Sequence, residues 1–143
     1  MKTIRSLLLV PLLSGTLGLG LVGNVQAQEE CSVATLQGDY LVTGAAEARV
    51  DQRDDPTYPR RVMAVWNFDG QGNMSAFNTV SLGGEIRRDS VNATYTVDSD
   101  RCTATLTFEG GGHFDLFITR DGSEGAAIRV DDGFIATRSI KKR

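Results

Sequence analysis

Few residues in this chain are of the types from which catalytic or metal chemistry is built: 143 residues include one His and two Cys. A single His113 cannot supply a His-rich metal site, and Cys31 with Cys102 cannot make a four-thiolate zinc site. No CxxC joins the cysteines, and no recognisable motif ties His113 to either, so a thiol nucleophile has no base in view. Ser123 lies in DGSEG, which reads as a hairpin tip, and no GxSxG elbow is present. DGQGN at 69–73 offers Asp69 and Asn73 oxygens around glycines, but lacks the bidentate Glu and third side-chain ligand of a calcium loop. It reads as a turn, as do Asp98 and Asp100. His113 follows three glycines and has no partner in view. Neither a catalytic residue nor a metal site or cofactor is assigned, and an enzyme is the less favoured reading.

Charge and targeting narrow the classes further. With 15 Lys plus Arg against 18 Asp plus Glu, the net charge is −3, and the basic footprint of a nucleic-acid binder is missing. Residues 1–27 read as a signal peptide. Lys2 and Arg5 precede an apolar stretch from Leu7 to Val22, and Val25 and Ala27 supply the small residues of a cleavage site. Pro11, Ser14, Gly15 and Thr16 interrupt the stretch and argue against a membrane anchor. Gln28, Glu29 and Glu30 before Cys31 argue against a lipobox. Cleavage leaves 28–143 as one secreted or periplasmic domain with no membrane span, carrying 13 basic and 18 acidic residues, net −5. Eleven of those cations are arginines, from an Arg-rich recognition surface or from genome composition. In an oxidising compartment the isolated pair Cys31 and Cys102 is expected to bridge, with two free thiols as the alternative.

The elements that must position these residues are strands. Residues 28–143 hold 25 Val, Ile and Thr but five Leu, a composition that fits a pleated surface. Val62, Ala64, Trp66 and Phe68 share one face by period-2 alternation. Val91, Ala93, Tyr95 and Val97 share another, and Cys102, Ala104, Leu106 and Phe108 a third, the latter two opposed by polar faces. Turn signals at 69–73, 83–84, 110–112, 121–125 and 131–133 separate strands expected at 38–44, 60–68, 73–82, 85–98, 101–109, 113–120, 125–130 and 133–140. Short successive connections favour an all-β, closed antiparallel meander barrel of about eight strands, since closure removes the exposed edges. Residues 45–60, AAEARVDQRDDPTYPR, read as a polar, Pro-marked loop, either functional or simply solvated.

If Trp66 points inward, the lumen holds Tyr40, Val42, Val62, Phe68, Met74, Tyr95, Leu106, Phe108, Phe114, Leu116, Ile118 and Phe134, with Ala64, Ala93, Ala104 and Ala136 near mid-strand. Eight strands make a barrel just wide enough to be filled by side chains or to hold one small ligand. A packed interior is favoured and an apolar pocket is the alternative. Tyr40, Trp66, Asn78, Tyr95 and Arg129 are the candidate ligand contacts. Leu41, Met63, Val65, Phe117 and Ile135 then face outward, and strands apolar on both faces point to a homo-oligomer or another partner.

Cys31 followed by Leu36, Gly38 and Tyr40, then VWNFDGQGN at 65–73, then ATYTVDSDRCTATLTF at 93–108, resembles small secreted bacterial proteins with an allene oxide cyclase barrel-like domain. The resemblance covers nearly all of 28–143. It implies an eight-stranded calycin-like barrel, shared in outline with plant allene oxide cyclases and dirigent proteins, which associate through their exteriors. Where the family runs Asp directly into Cys and then Thr-Gly-Thr, Arg101 intervenes here and Ala104 replaces the glycine. The pocket residues of the plant cyclases match no motif here, so no catalytic role is carried over. The leading reading is therefore an exported barrel that binds a small apolar molecule or a protein partner. A lumenal isomerase or cyclase acting on a lipid-derived substrate is one alternative, and a purely structural or interaction domain is another.

Overall fold

A computed structural model describes residues 30–49 and 60–143. The expected signal peptide, and positions 50–59 of the expected loop, lie outside them. After a single 3-10 turn, Val33–Thr35, eight strands follow: β1 Gln37–Arg49, β2 Arg60–Asp69, β3 Asn73–Leu82, β4 Glu85–Asp98, β5 Thr103–Phe108, β6 His113–Ile118, β7 Glu124–Arg129 and β8 Phe134–Lys142. Each strand pairs antiparallel with the next, and β8 returns to β1, so the sheet is a closed barrel.

The alternation seen in the sequence decides which side chains enter the barrel. Tyr40, Val42, Val62, Phe68, Met74, Tyr95, Leu106, Phe114, Leu116 and Ile118 are buried together with Ala64, Ala93, Ala104 and Ala136. Phe108 and Phe134 are half-buried. Large residues of this kind each contribute about 2 kcal/mol when fully buried, so the inward face is the main source of stability. Edge-to-face ring contacts run through the lumen from Tyr40 to Phe68 at 5.3 Å, then Trp66 at 6.4 Å, Phe108 at 5.8 Å and Phe114 at 5.6 Å.

Two expectations are corrected. Residues 45–49 belong to β1 rather than to a loop, because β8 offers them a partner: Ala45 pairs with Thr137 and, past a register shift, Ala48 with Ile135. The fifth strand begins at Thr103, two residues later than expected. Cys102 stands in the left-handed region at φ 51°, the one such non-glycine residue described, and the turn thereby swings its sulfur back toward Cys31.

The two ends of the barrel differ. At one end aspartates close the turns. Asp69 Oδ1 accepts from the backbone N–H of Gln71 at 2.7 Å and of Asn73 at 2.9 Å. Asp98 accepts from Asp100 and Arg101, and Asp121 from Ser123. Asp69 is thus occupied by its own hairpin, as a turn residue should be. Over this end lies the 3-10 turn, held by the Cys31–Cys102 disulfide. The Tyr95 hydroxyl reaches the carbonyls of Val33 at 2.8 Å and Leu36 at 3.0 Å. The Tyr40 hydroxyl donates to the carbonyl of Gly122 at 2.6 Å. Gly122 has φ +67° and packs against the Thr35 carbonyl, a conformation and an approach that both require glycine.

Candidate functional site

Among the described residues the other end is open, and the cause is the unequal length of the hairpins. β3 and β4 pair as far as Leu82 with Glu85, joined by Gly83 and Gly84 at φ 54° and 91°. These positive values suit the two-residue turn that the strand twist demands. β5 meets β4 only from Ala93 with Phe108 onward, and β5 and β6 turn back through Gly110–Gly112. One wall therefore rises past the other, and the lumen opens through the notch.

A cavity of about 470 Å³ occupies this mouth. Its floor and walls are apolar: Trp66, Phe108, Phe114, Val62, Val80 and Val91. Asn78, Asp89, Arg87, Arg129 and Arg138 supply the polar groups, and Gly110 and Gly112 the low side. The volume suits one small organic ligand. A larger depression, about 530 Å³, lies on the outside of β2–β5 among Asn67, Asp69, Asn73, Asn92, Thr94 and Glu109. There Asp69 is engaged by its turn, and both Glu109 oxygens accept from Asn92 at 3.3 Å. The mouth, with its apolar floor and cationic rim, is the better candidate.

Three of the five sequence candidates, Trp66, Asn78 and Arg129, meet in this cavity. Tyr40 and Tyr95 stand at the closed end with their hydroxyls bonded to backbone carbonyls, and burial raises the pKa of both phenols. The Trp66 indole Nε1 is buried and has no hydrogen-bond partner among the described residues. Asn78 Nδ2 donates to Asp89 Oδ1 at 2.9 Å, so these two inward polar residues face each other across the β3–β4 pair.

The rim chemistry was not visible to motif reading. Arg138 is buried, 8% exposed, on the inward face of β8 between Ala136 and Ile140. Its guanidinium donates to the carbonyls of Ala45 and Thr137, and its Cζ lies 5.5 Å from the Phe114 ring centroid. Alternation along Phe134, Ala136, Arg138 and Ile140 was the signal for it, overridden by the usual exposure of Arg. Arg129 lies with its Cζ 3.9 Å above the Phe134 ring and donates through Nε to Asp131 Oδ2 at 2.6 Å.

His113 is not without a partner. The register sets Phe114 opposite Arg129 and so brings the start of β6 beside the β7–β8 turn. Asp131 Oδ2 accepts the His113 backbone N–H at 2.9 Å, and Oδ1 lies 2.6 Å from Nδ1 of the ring. These bonds, with that from Arg129, hold the Asp131 carboxyl well below the ordinary carboxylate range. With Asp131 ionised, Nδ1 is the donor, and a neutral His113 keeps its lone pair on Nε2. The ring is 47% exposed on the outward face of β6, and Asp131 joins it to Arg129. Among the described residues no three His, Cys, Asp or Glu side chains converge as metal ligands, and no helix is long and apolar enough to cross a membrane.

No family model matches the chain, and no curated protein matches it. Among solved structures the chain is similar to a de novo designed fluorescence-activating β-barrel, at 8% identity over 78% of this chain and 96% of that one, TM-score 0.48. It is also similar to a redesigned β-barrel, mFAP1, bound to DFHBI, at 15% identity over 77% of this chain and 97% of that one, TM-score 0.49. At these identities the likeness concerns the barrel fold alone.

Proposed function

We propose that this is an exported, non-enzymatic barrel that binds one small amphipathic molecule in its open mouth. The observation that carries the reading is the 470 Å³ cavity with aromatic walls and a cationic rim. An apolar body would lie against Trp66, Phe108 and Phe114, and a head group bearing hydrogen-bond acceptors would meet Arg129, Arg138 and Asn78. Guanidinium groups stacked on aromatic rings are suited to such heads because their donor forks are already oriented. Export rests on the N-terminal pattern and is supported by the disulfide. Membership of the allene oxide cyclase barrel-like proteins is part of the same proposal. Native mass spectrometry of protein purified from the producing organism tests it: one co-purifying small molecule per chain, extractable into organic solvent, is expected. A bare chain mass that takes up no small amphiphile would contradict it.

We also propose self-association through the exterior. Leu41, Met63, Phe117 and Ile135 are exposed and Val65 is half-buried, with Leu41, Val65 and Phe77 side by side across three strands. Light scattering that shows a monomer at micromolar concentration would sink it.

A further inference from the structure

The barrel is closed, yet among the described residues one stretch of strand edge has no strand partner. β4 pairs with β3 from Glu85 with Leu82 to Thr94 with Asn73, but with β5 only from Ala93 onward. In an antiparallel ladder successive residues turn their backbone groups to opposite neighbours. Tyr95 donates its N–H to Gly72 on the β3 side, and Asn92 accepts from Glu109 on the β5 side. With no register shift along β3–β4, the even positions Ile86, Arg88 and Ser90 therefore turn N–H and C=O toward the open side. All three residues are exposed. Continued past Ala93, the β4–β5 register sets Ser90 level with Gly111, and a Cβ on Gly110 or Gly111 would meet nothing within 4 Å, so the lane beside β4 is clear of described atoms there.

The lane runs along the cavity. Arg87, Asp89 and Val91, the inward residues of this same stretch, line it on one side, and Gly110 and Gly112 on the other. An unpaired strand edge beside an apolar pocket is the arrangement by which proteins bind extended peptides: the ladder supplies affinity and the pocket selects alternate side chains. We propose that the Glu85–Ser90 edge of β4 receives an extended peptide in antiparallel pairing, with one aromatic side chain seated in the mouth cavity. The anchor lies opposite Asp89, and the next residue, on the outer face opposite Arg88, is acidic. Two positions further on, an apolar residue covers Ile86, which is 50% exposed. The charges on this edge, Glu85, Arg87, Arg88 and Asp89, deter unselective strand pairing, including self-pairing that sets Arg88 against its own copy. They leave a charge-matched segment as the occupant. The anchor rests on the cavity proposed above as the binding site, whereas the strand pairing stands on backbone geometry.

The probe is the acetylated and amidated peptide Thr-Thr-Phe-Glu-Thr-Val-Thr, added to the full chain, with anilinonaphthalene sulfonate titrated separately as a probe of the cavity. Saturating peptide is expected to slow hydrogen exchange at the Ile86, Arg88 and Ser90 amides. N-methylation of the peptide amides that face β4 should weaken binding at least about tenfold. Arg88→Glu should weaken binding of this peptide and restore it for the version with Lys in place of Glu, a swap that loss of folding would not produce. If the sulfonate binds and the peptide does not, or binds without protecting those amides, strand pairing is overturned and the cavity stands. If the peptide protects those amides while the sulfonate fails, the pairing holds and the small-molecule reading falls. If neither binds, both fall.

Discussion

Replacing both bridging cysteines by alanine, Cys31→Ala with Cys102→Ala, should cost about 4 kcal/mol. The bridge closes a separation of 71 residues, and the chain-entropy relation assigns a loop of that size this amount at 25 °C. For a domain of this length the loss corresponds to a melting temperature lower by roughly 15 °C. Position 102 adds a finer test. Its φ of 51° suits glycine better than alanine, so Cys31→Ala with Cys102→Gly should be more stable than the double alanine variant by about 1 kcal/mol. Equilibrium urea unfolding of the oxidised protein and both variants measures each difference, with unchanged slopes showing that the unfolded state is comparable. A double alanine variant within 1 kcal/mol of the parent would refute the view that the bridge, rather than the tyrosine bonds alone, ties the 3-10 turn to the barrel. A glycine variant no more stable than the alanine one would refute the assignment of strain to position 102.

Further perturbations separate the two ends of the barrel. Tyr95→Phe removes the hydroxyl that bridges the carbonyls of Val33 and Leu36 and should lower stability by about 1–2 kcal/mol in the same assay, with no effect on the mouth. Asp121 is pushed down to about 2, by the Thr119 hydroxyl first and then by Ser123, and Asp131 lies lower still. Depressed carboxyls contribute stability above their unfolded value of 3.8 and lose it as pH falls through the folded values. Denaturation of Asp121→Asn/Asp131→Asn should therefore depend less steeply on pH below about 4 than that of the parent. Gly112→Leu directs a side chain into the mouth, since its Cβ would sit 3.7 Å from Arg129 Nη2 and 3.9 Å from Phe114 Cε2, in ordinary contact. It should block ligand uptake while changing stability by no more than about 1 kcal/mol.

Most of the barrel was legible because alternation and turn chemistry agree. The bounds of β2, β3 and β4 follow directly from DGQGN, the Gly83–Gly84 pair and the Asp98 turn. The continuation of β1 to Arg49 was not legible, since those residues are strand only because β8 lies alongside with a register shift. The site was read in part. Inward faces could be assigned from period 2, but the height at which a residue enters the lumen depends on strand stagger around the barrel. Hence Trp66, Asn78 and Arg129 gather at the mouth while Tyr40 and Tyr95 brace the far end. Arg138 is inward despite its charge because two backbone carbonyls receive it. His113 and Asp131 meet only once β6 and β7 are in register.

The central claim is that the mouth of this barrel takes a small amphipathic molecule. Trp66 is the one tryptophan of the chain and lines that cavity, so its emission reports on the site directly. Titration with anilinonaphthalene sulfonate, an aromatic anion, should quench Trp66 with saturation at one molecule per chain. Gly112→Leu, folded to the same melting temperature within a few degrees, should abolish the quenching. Unsaturable quenching, or saturable quenching that survives Gly112→Leu undiminished, would contradict the account.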